Sequence, residues 1–254
     1  MSKPFLGGFI VGLALIVGSG VGASRLKQGD KTQSQYRAEL EGATPVELGV
    51  LNERQRLHSK LFADFRQGEA GTIGELIAAH KGQKIVYGIS VDANIPRLSA
   101  EAEPPESYFA KLAQASDAII RGRAISKLSQ ITEDGKSVFS DYGVIVKEIL
   151  KNNAGTPLAA STRINVTCPG GKVLIGDVVV KFGGNSIASL PTNDHDVLLF
   201  VKALPQERDF KLTRYDASFE LGDGSVRALA AQFPTTYPAD EHSFLEAVRV
   251  AASK

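Results

Sequence analysis

Residues 118–150 read AIIRGRAISKLSQITEDGKSVFSDYGVIVKEIL, and this stretch decides the fold. On its return arm Tyr142, Val144 and Val146 recur at every second position. A period of two belongs to an extended chain, whose side chains alternate between faces. Between the arms lies Thr132-Glu133-Asp134-Gly135-Lys136, and Asp-Gly is a strong hairpin signal. The pattern therefore predicts two antiparallel strands, over 118–129 and 138–150.

The same period continues downstream. Over 163–168, Ile164, Val166 and Cys168 fall on one side and Arg163, Asn165 and Thr167 on the other. Pro169-Gly170-Gly171 turns the chain, and further strands fit 173–182, 197–202, 210–213 and 218–221. Asp223-Gly224 closes another hairpin, with Val226 in its second arm. Short strands separated by Gly, Pro and Asp turns predict a mainly β fold, an antiparallel sandwich or a small, OB-like barrel. A loop over 233–238 leads to an amphipathic helix over 240–252, with Phe244, Leu245 and Val248 inward.

Upstream of 118 the period is mostly helical. Thr44, Pro45 and Glu47 suggest a capped helix start, followed by Val46, Val50, Leu57, Leu61 and Phe65 at three- and four-residue spacings. Asn52 to Arg56 would then be a solvated face, and Gly68 and Gly71 the stop. A second short helix fits 72–80, with Ile73, Leu76 and Ile77 inward and Gly82 at its end. Ile85, Tyr87, Ile89 and Val91 alternate as on a strand, and a short helix fits 106–114.

Residues 5–23 read FLGGFIVGLALIVGSGVGA, nineteen residues without a charge. A helix of this length just spans a hydrocarbon core of about 30 Å. It is expected to be a membrane anchor, or else a signal peptide with Lys3 ahead of it and Val21-Gly22-Ala23 as its cleavage site. Arg25, Lys27 and Lys31 follow, and the positive-inside rule would place that flank in the cytoplasm. A short apolar segment before a folded domain argues instead for export. The organisation expected is an anchor or signal over 1–24, a linker over 25–43, a helical region with one strand over 44–91, a linker over 92–106, an all-β domain over 107–230 and a C-terminal helix over 231–254.

Composition narrows the chemistry. The chain has 254 residues, with 29 Lys and Arg against 28 Asp and Glu. Residues 111–254 are as balanced, with 17 against 16, and Trp is absent, which argues against a nucleic-acid groove. One Cys excludes an intrachain disulfide, and four His leave few ways to build a metal centre. Cys168 reads as a small buried hydrophobe, since no His lies near it in sequence to make it a thiolate. Asp194-His195-Asp196 could offer ligands, but neighbours on an extended chain point to opposite sides, and a turn is expected. His58 is expected on a helix surface, His80 at a helix C-terminus and His242 exposed in a first turn.

Gly170-Gly171-Lys172 and Gly183-Gly184-Asn185-Ser186 lack phosphate-loop spacing, Gly18-x-Gly20-x-Gly22 lies inside the apolar run, and Ser24-Arg25-Leu26-Lys27 sits in its flank. Asn165-Val166-Thr167 matches a glycosylation sequon inside an expected strand. No catalytic, cofactor or metal residue is assigned. The expectation is a tethered or exported β-domain that binds a protein partner or serves a structural role at the cell envelope. Its contact surface is expected at edge strands and at loops 169–172 and 183–186. The alternatives are a hydrolase or a Cys168 thiol enzyme, and a cytoplasm-facing accessory subunit of a membrane complex.

Overall fold

Five strands close on themselves at the centre of the molecule. They are β5 (Ala118–Ile131), β6 (Val138–Asn152), β7 (Arg163–Pro169), β10 (Asp196–Ala203) and β11 (Asp209–Leu212). The ring runs β5-β6-β7-β11-β10 and back to β5. Every pairing is antiparallel except β7 with β11, which is parallel. The choice between sandwich and barrel thus resolves to a closed barrel, which leaves no edge among these strands. The computed structural model describes residues 33–62, 65–66, 71–88, 91–92, 104–183, 189–204, 209–214, 216–230 and 236–254. Contacts divide the chain into Met1–Ala38 and Glu39–Lys254. Of the first unit only 33–38 is described, as part of a helix over 33–40 (α1).

The barrel interior follows from alternation. Ile120, Tyr142, Val144, Ile164, Val166 and Cys168 point in and are fully buried. Strand β10 is apolar on both faces. Val197, Leu199 and Val201 fill the barrel, while Leu198 and Phe200 face outward into a second core. That core forms under α4 (Pro105–Ala115) and α5 (Glu241–Ala252), with β12 (Ser218–Gly222) and β13 (Ser225–Ala228) extending the sheet beyond β10. Aromatic rings dominate it: Phe219 and Phe244 lie 4.8 Å apart, and Phe109 meets Phe244 edge-on at 5.6 Å. Each buried aromatic contributes large apolar area.

A second sheet has the order β1-β8-β9-β3, from β1 (Thr44–Pro45), β8 (Gly171–Ile175), β9 (Val178–Phe182) and β3 (Ile85–Gly88). Helix α3 (Ile73–Ala79) packs on it through Ile73, against Val173, Val180 and Phe182. Ile131 and Val138, at the tip of the β5–β6 hairpin, belong to the same cluster. The long hairpin therefore runs from the barrel to the second sheet, and three register shifts in the β5–β6 ladder let it bend. Gly171 sits at the junction with φ +151°, where a Cβ would collide with the Ser129 and Ser140 hydroxyls. A further two-stranded ladder joins β2 (Phe65–Arg66) to β4 (Val91–Asp92).

Three expectations for the helical region and the hairpins need correction. The first helix does not start at Thr44. Thr44 and Pro45 pair in parallel with Val173 and Leu174, and the Thr44 hydroxyl accepts from the Ser129 amide. The helix, α2 (Glu53–Ser59), starts nine residues later, and Gly49 at φ +83° lies between. It ends not at Gly68 or Gly71 but in a 3-10 turn, Lys60–Phe62. On β3 it is Val86 that is buried, while Tyr87 is exposed, the reverse of the expected face. The stretch 173–182 is not one strand: Gly176, at φ +59°, and Asp177 turn it into the β8–β9 hairpin. The apolar run 5–23, the Ser24–Lys27 tetrad and the linker residues 93–103 lie outside the described residues. Among the described residues no helix is long and apolar enough to cross a membrane.

Candidate functional site

Helix α2 begins where a reciprocal cap can form. The Asn52 side chain accepts from the Gln55 amide at 2.7 Å, and the Gln55 side chain accepts from the Asn52 amide at 3.4 Å. The cap fixes which face of this seven-residue helix turns inward: Gln55, His58 and Ser59 are buried. Gln55 donates to the Ile131 carbonyl at 2.5 Å, and the Ser59 hydroxyl accepts from the Glu133 amide, tying both ends of the helix to the hairpin.

The barrel surface beneath α2 is polar for a simple reason. Tyr142, Val166 and Phe210 point into the barrel, so their neighbours Asp141, Thr167 and Asp209 point out. Register then gathers them: Asp141 pairs with Thr167 across β6–β7, and Asp209 pairs with Asn165 across β7–β11. Under the helix all three are buried, and His58, brought in by α2, is 1% exposed.

His58 lies between the two carboxylates. Its Nδ1 is 3.0 Å from Asp141 Oδ1, and its Nε2 is 3.8 Å from Asp209 Oδ2, too long for a hydrogen bond. Arg54 bridges the same pair, with Nε 3.0 Å from Asp141 and Nη2 3.2 Å from Asp209. The Thr167 hydroxyl donates to Asp141 at 2.6 Å, Gln130 to Asp141 at 2.9 Å and Asn165 to Asp209 at 2.8 Å. Burial alone would push the His58 imidazolium down, but the facing carboxylates outweigh it and hold its pKa up at about 9. For Asp141 and Asp209 burial acts to raise the pKa, but hydrogen bonds and the His58 and Arg54 charges bring both carboxyls below the usual range. The group is two cations against two anions, neutral as a whole.

This geometry is a clamp rather than a nucleophile with its base. A general base needs a free lone pair near neutral pH. His58 is protonated there, and both ring nitrogens face carboxylates. Thr167 gives its proton to Asp141, not to the imidazole, and lies 1% exposed under α2. The expectations of a surface His58 and of a solvated face over 52–56 are therefore corrected. Both follow from placing α2 in a longer helix with the wrong phase. One signal in the sequence does mark the true start, the Asn52-Glu53-Arg54-Gln55 cap.

The other residues singled out in sequence separate in space. Asp194 is exposed and pairs with Arg123, His195 pairs with Glu220 at 2.8 Å, and Asp196 is held by Arg121 at 3.0 Å and Lys147 at 2.5 Å. Arg121 also reaches Glu241 at 2.8 Å, which ties α5 to the barrel. His80 caps α3, with Nδ1 2.9 Å from the Leu76 carbonyl, and His242 is exposed. Asn165 of the sequon spends its amide on Asp209. Among the described residues no three His, Cys, Asp or Glu side chains are placed to hold a metal ion. Cys168 is fully buried in the barrel, and burial pushes its thiol far up. A thiol reagent should therefore leave Cys168 untouched in the folded chain and label it promptly in denaturant; rapid labelling of the native protein would contradict its burial.

Beside the Gly170-Gly171 turn, Lys172 comes from β8 and Lys181 from β9. Lys172 and Lys181 are direct cross-strand partners. Glu39 bridges them, 2.9 Å from Lys181 and 3.5 Å from Lys172. No protein-family model and no curated protein matches the chain.

Proposed function

We propose that the chain is a membrane-tethered or exported β-barrel domain that works by binding at the cell envelope rather than by catalysis. The observation that carries this reading is the state of the buried reactive groups. His58 is locked as an imidazolium between two carboxylates, and Cys168 is sealed in the barrel. Numbered along the barrel, the strand order is 1-2-3-5-4, with strands 3 and 5 parallel. This supports the finer reading of an OB-like barrel. OB modules offer the face of strands 2 and 3 to oligonucleotides and oligosaccharides. Here that face carries Asp141 and Thr167 and is covered by α2, so it suits neither a phosphate backbone nor base stacking. The tether rests on the uncharged run 5–23.

Protease added outside intact spheroplasts that express the chain with a C-terminal tag tests the placement. Loss of the tag before lysis is expected, and the mass of the untreated chain distinguishes an anchor from cleavage near Ala23. Protection until lysis would overturn export. It would favour the cytoplasm-facing accessory subunit, which the Arg25, Lys27 and Lys31 flank supports.

A further inference from the structure

We propose that the turn over 47–50 dips into the surface of the lipid bilayer, beside the exposed side of α2. The inference rests on the tethered form of the reading above and names the surface that the barrel domain meets.

The turn is well defined. The Val50 amide donates to the Glu47 carbonyl at 3.4 Å, and Gly49, at φ +83°, takes the third position, where a type II turn requires a positive φ. Both of its ends are fixed. On one side the Val46 amide donates to the Leu174 carbonyl, continuing the β1–β8 pairing. On the other the Asn52 cap begins α2. A turn held out on such a base ordinarily carries polar residues, because its tip meets water. This one carries Leu48 and Val50, and both are exposed, Val50 at 64%. Leu57, on α2, is exposed as well.

Exposed aliphatic side chains are ordinary when they are scattered. Here four of the eight large apolar side chains exposed among the described residues lie between Leu40 and Leu57. No other exposed large apolar residue among them is as near in sequence to the uncharged run 5–23. Nine residues, 24–32, separate that run from α1, and a chain of that length reaches at most about 30 Å. An anchored chain therefore presents the turn to the bilayer at an effective concentration on the order of millimolar. At that concentration a small apolar tip is enough, and no large hydrophobic face is needed. Charge narrows the surface further. Exposed Arg56 and Lys60 are balanced by exposed Glu47 and Glu53, so contact is made by apolar insertion among zwitterionic headgroups rather than by attraction to anionic lipid.

The full chain is reconstituted into phosphatidylcholine vesicles through its own apolar run. A bimane probe is placed on Val50→Cys and, in a second sample, on Val250→Cys, which is comparably exposed, at 55%, on α5. Cys168 is buried and stays unlabelled. Lipids brominated in the upper acyl chain should quench the probe at position 50 about twofold or more, the depth of an interfacial side chain being about 5–10 Å, and leave the probe at 250 bright. Adding Leu48→Ser and Leu57→Ser should weaken the quenching. All these positions are exposed, and circular dichroism checks that each variant folds. Equal quenching at 50 and 250, none at 50, or quenching unchanged by the two serines overturns the inference. A probe at 50 that is shielded from water yet unquenched by bromine marks a protein partner or a second copy on the turn, and overturns it too. Flotation of the vesicles reads the tether separately. A chain that does not float refutes the tether and the inference with it, whereas a chain that floats with position 50 unquenched refutes the inference alone.

Discussion

Replacing Asp141 with alanine is expected to lower folding stability by about 3–5 kcal/mol, the cost of breaking a buried ion pair from one side. Asp141 is 7% exposed and meets His58, Arg54, Thr167 and Gln130 at once. Without it two cations share the single carboxylate of Asp209, and Thr167 and Gln130 lose their acceptor. At about 2–4 °C per kcal/mol for a unit of this size, the melting temperature should fall by roughly 10 °C. Asp177→Ala, which breaks the exposed pair with Lys84, should leave the melting temperature where it was. Equal effects of the two substitutions would mean that α2 is not held by the clamp.

The second large effect is on the alkaline side. The His58 pKa is raised from 6.5 to about 9 on folding, so its contribution is fully present below pH 6.5 and is lost as pH rises through 9. The span corresponds to about 3 kcal/mol. Asp141 and Asp209 act in the opposite sense: their pKa values are lowered, so their contribution is present above the ordinary carboxylate range and is lost on acidification. Stability should therefore be greatest in mildly acidic solution and decline between pH 6.5 and 9. Above that the buried Cys168 and Tyr142, both shifted upward by burial, add their own loss. Thermal melts across this range should show the decline in wild type and not in His58→Gln. A flat wild-type profile would contradict the ion pairing of His58.

The barrel's strands were legible because their signal is local, whereas their closure into a ring rests on long-range pairing. Ile164, Val166 and Cys168 alternate within six residues, and Tyr142, Val144 and Val146 do the same. Asp223-Gly224 turns at positive φ, as its residue types require. The β8–β9 hairpin was hidden because Val173 to Phe182 is mostly apolar, and the two-residue Gly176-Asp177 turn interrupts it without a longer polar cluster. The clamp was hidden for a different reason. Alternation places Asp141, Thr167 and Asp209 outside the barrel, where charged residues ordinarily meet water. Nothing local shows that a helix more than eighty residues upstream, around His58, will cover them. The false helix at Thr44 arose because a Thr-Pro start and an apolar stripe also fit a chain that pairs with a strand. Parallel pairing with Val173 and Leu174, far along the chain, decided it.

The polar group beneath α2 is a neutral, closed clamp, and the proposed binding role rests on it. Nitrogen NMR of the His58 ring tests it most directly. Two protonated ring nitrogens are expected at pH 7.5, with a titration midpoint near 9. A neutral ring at that pH, with a midpoint at or below 6.5, would contradict the clamp and leave His58 with a free lone pair for general-base chemistry.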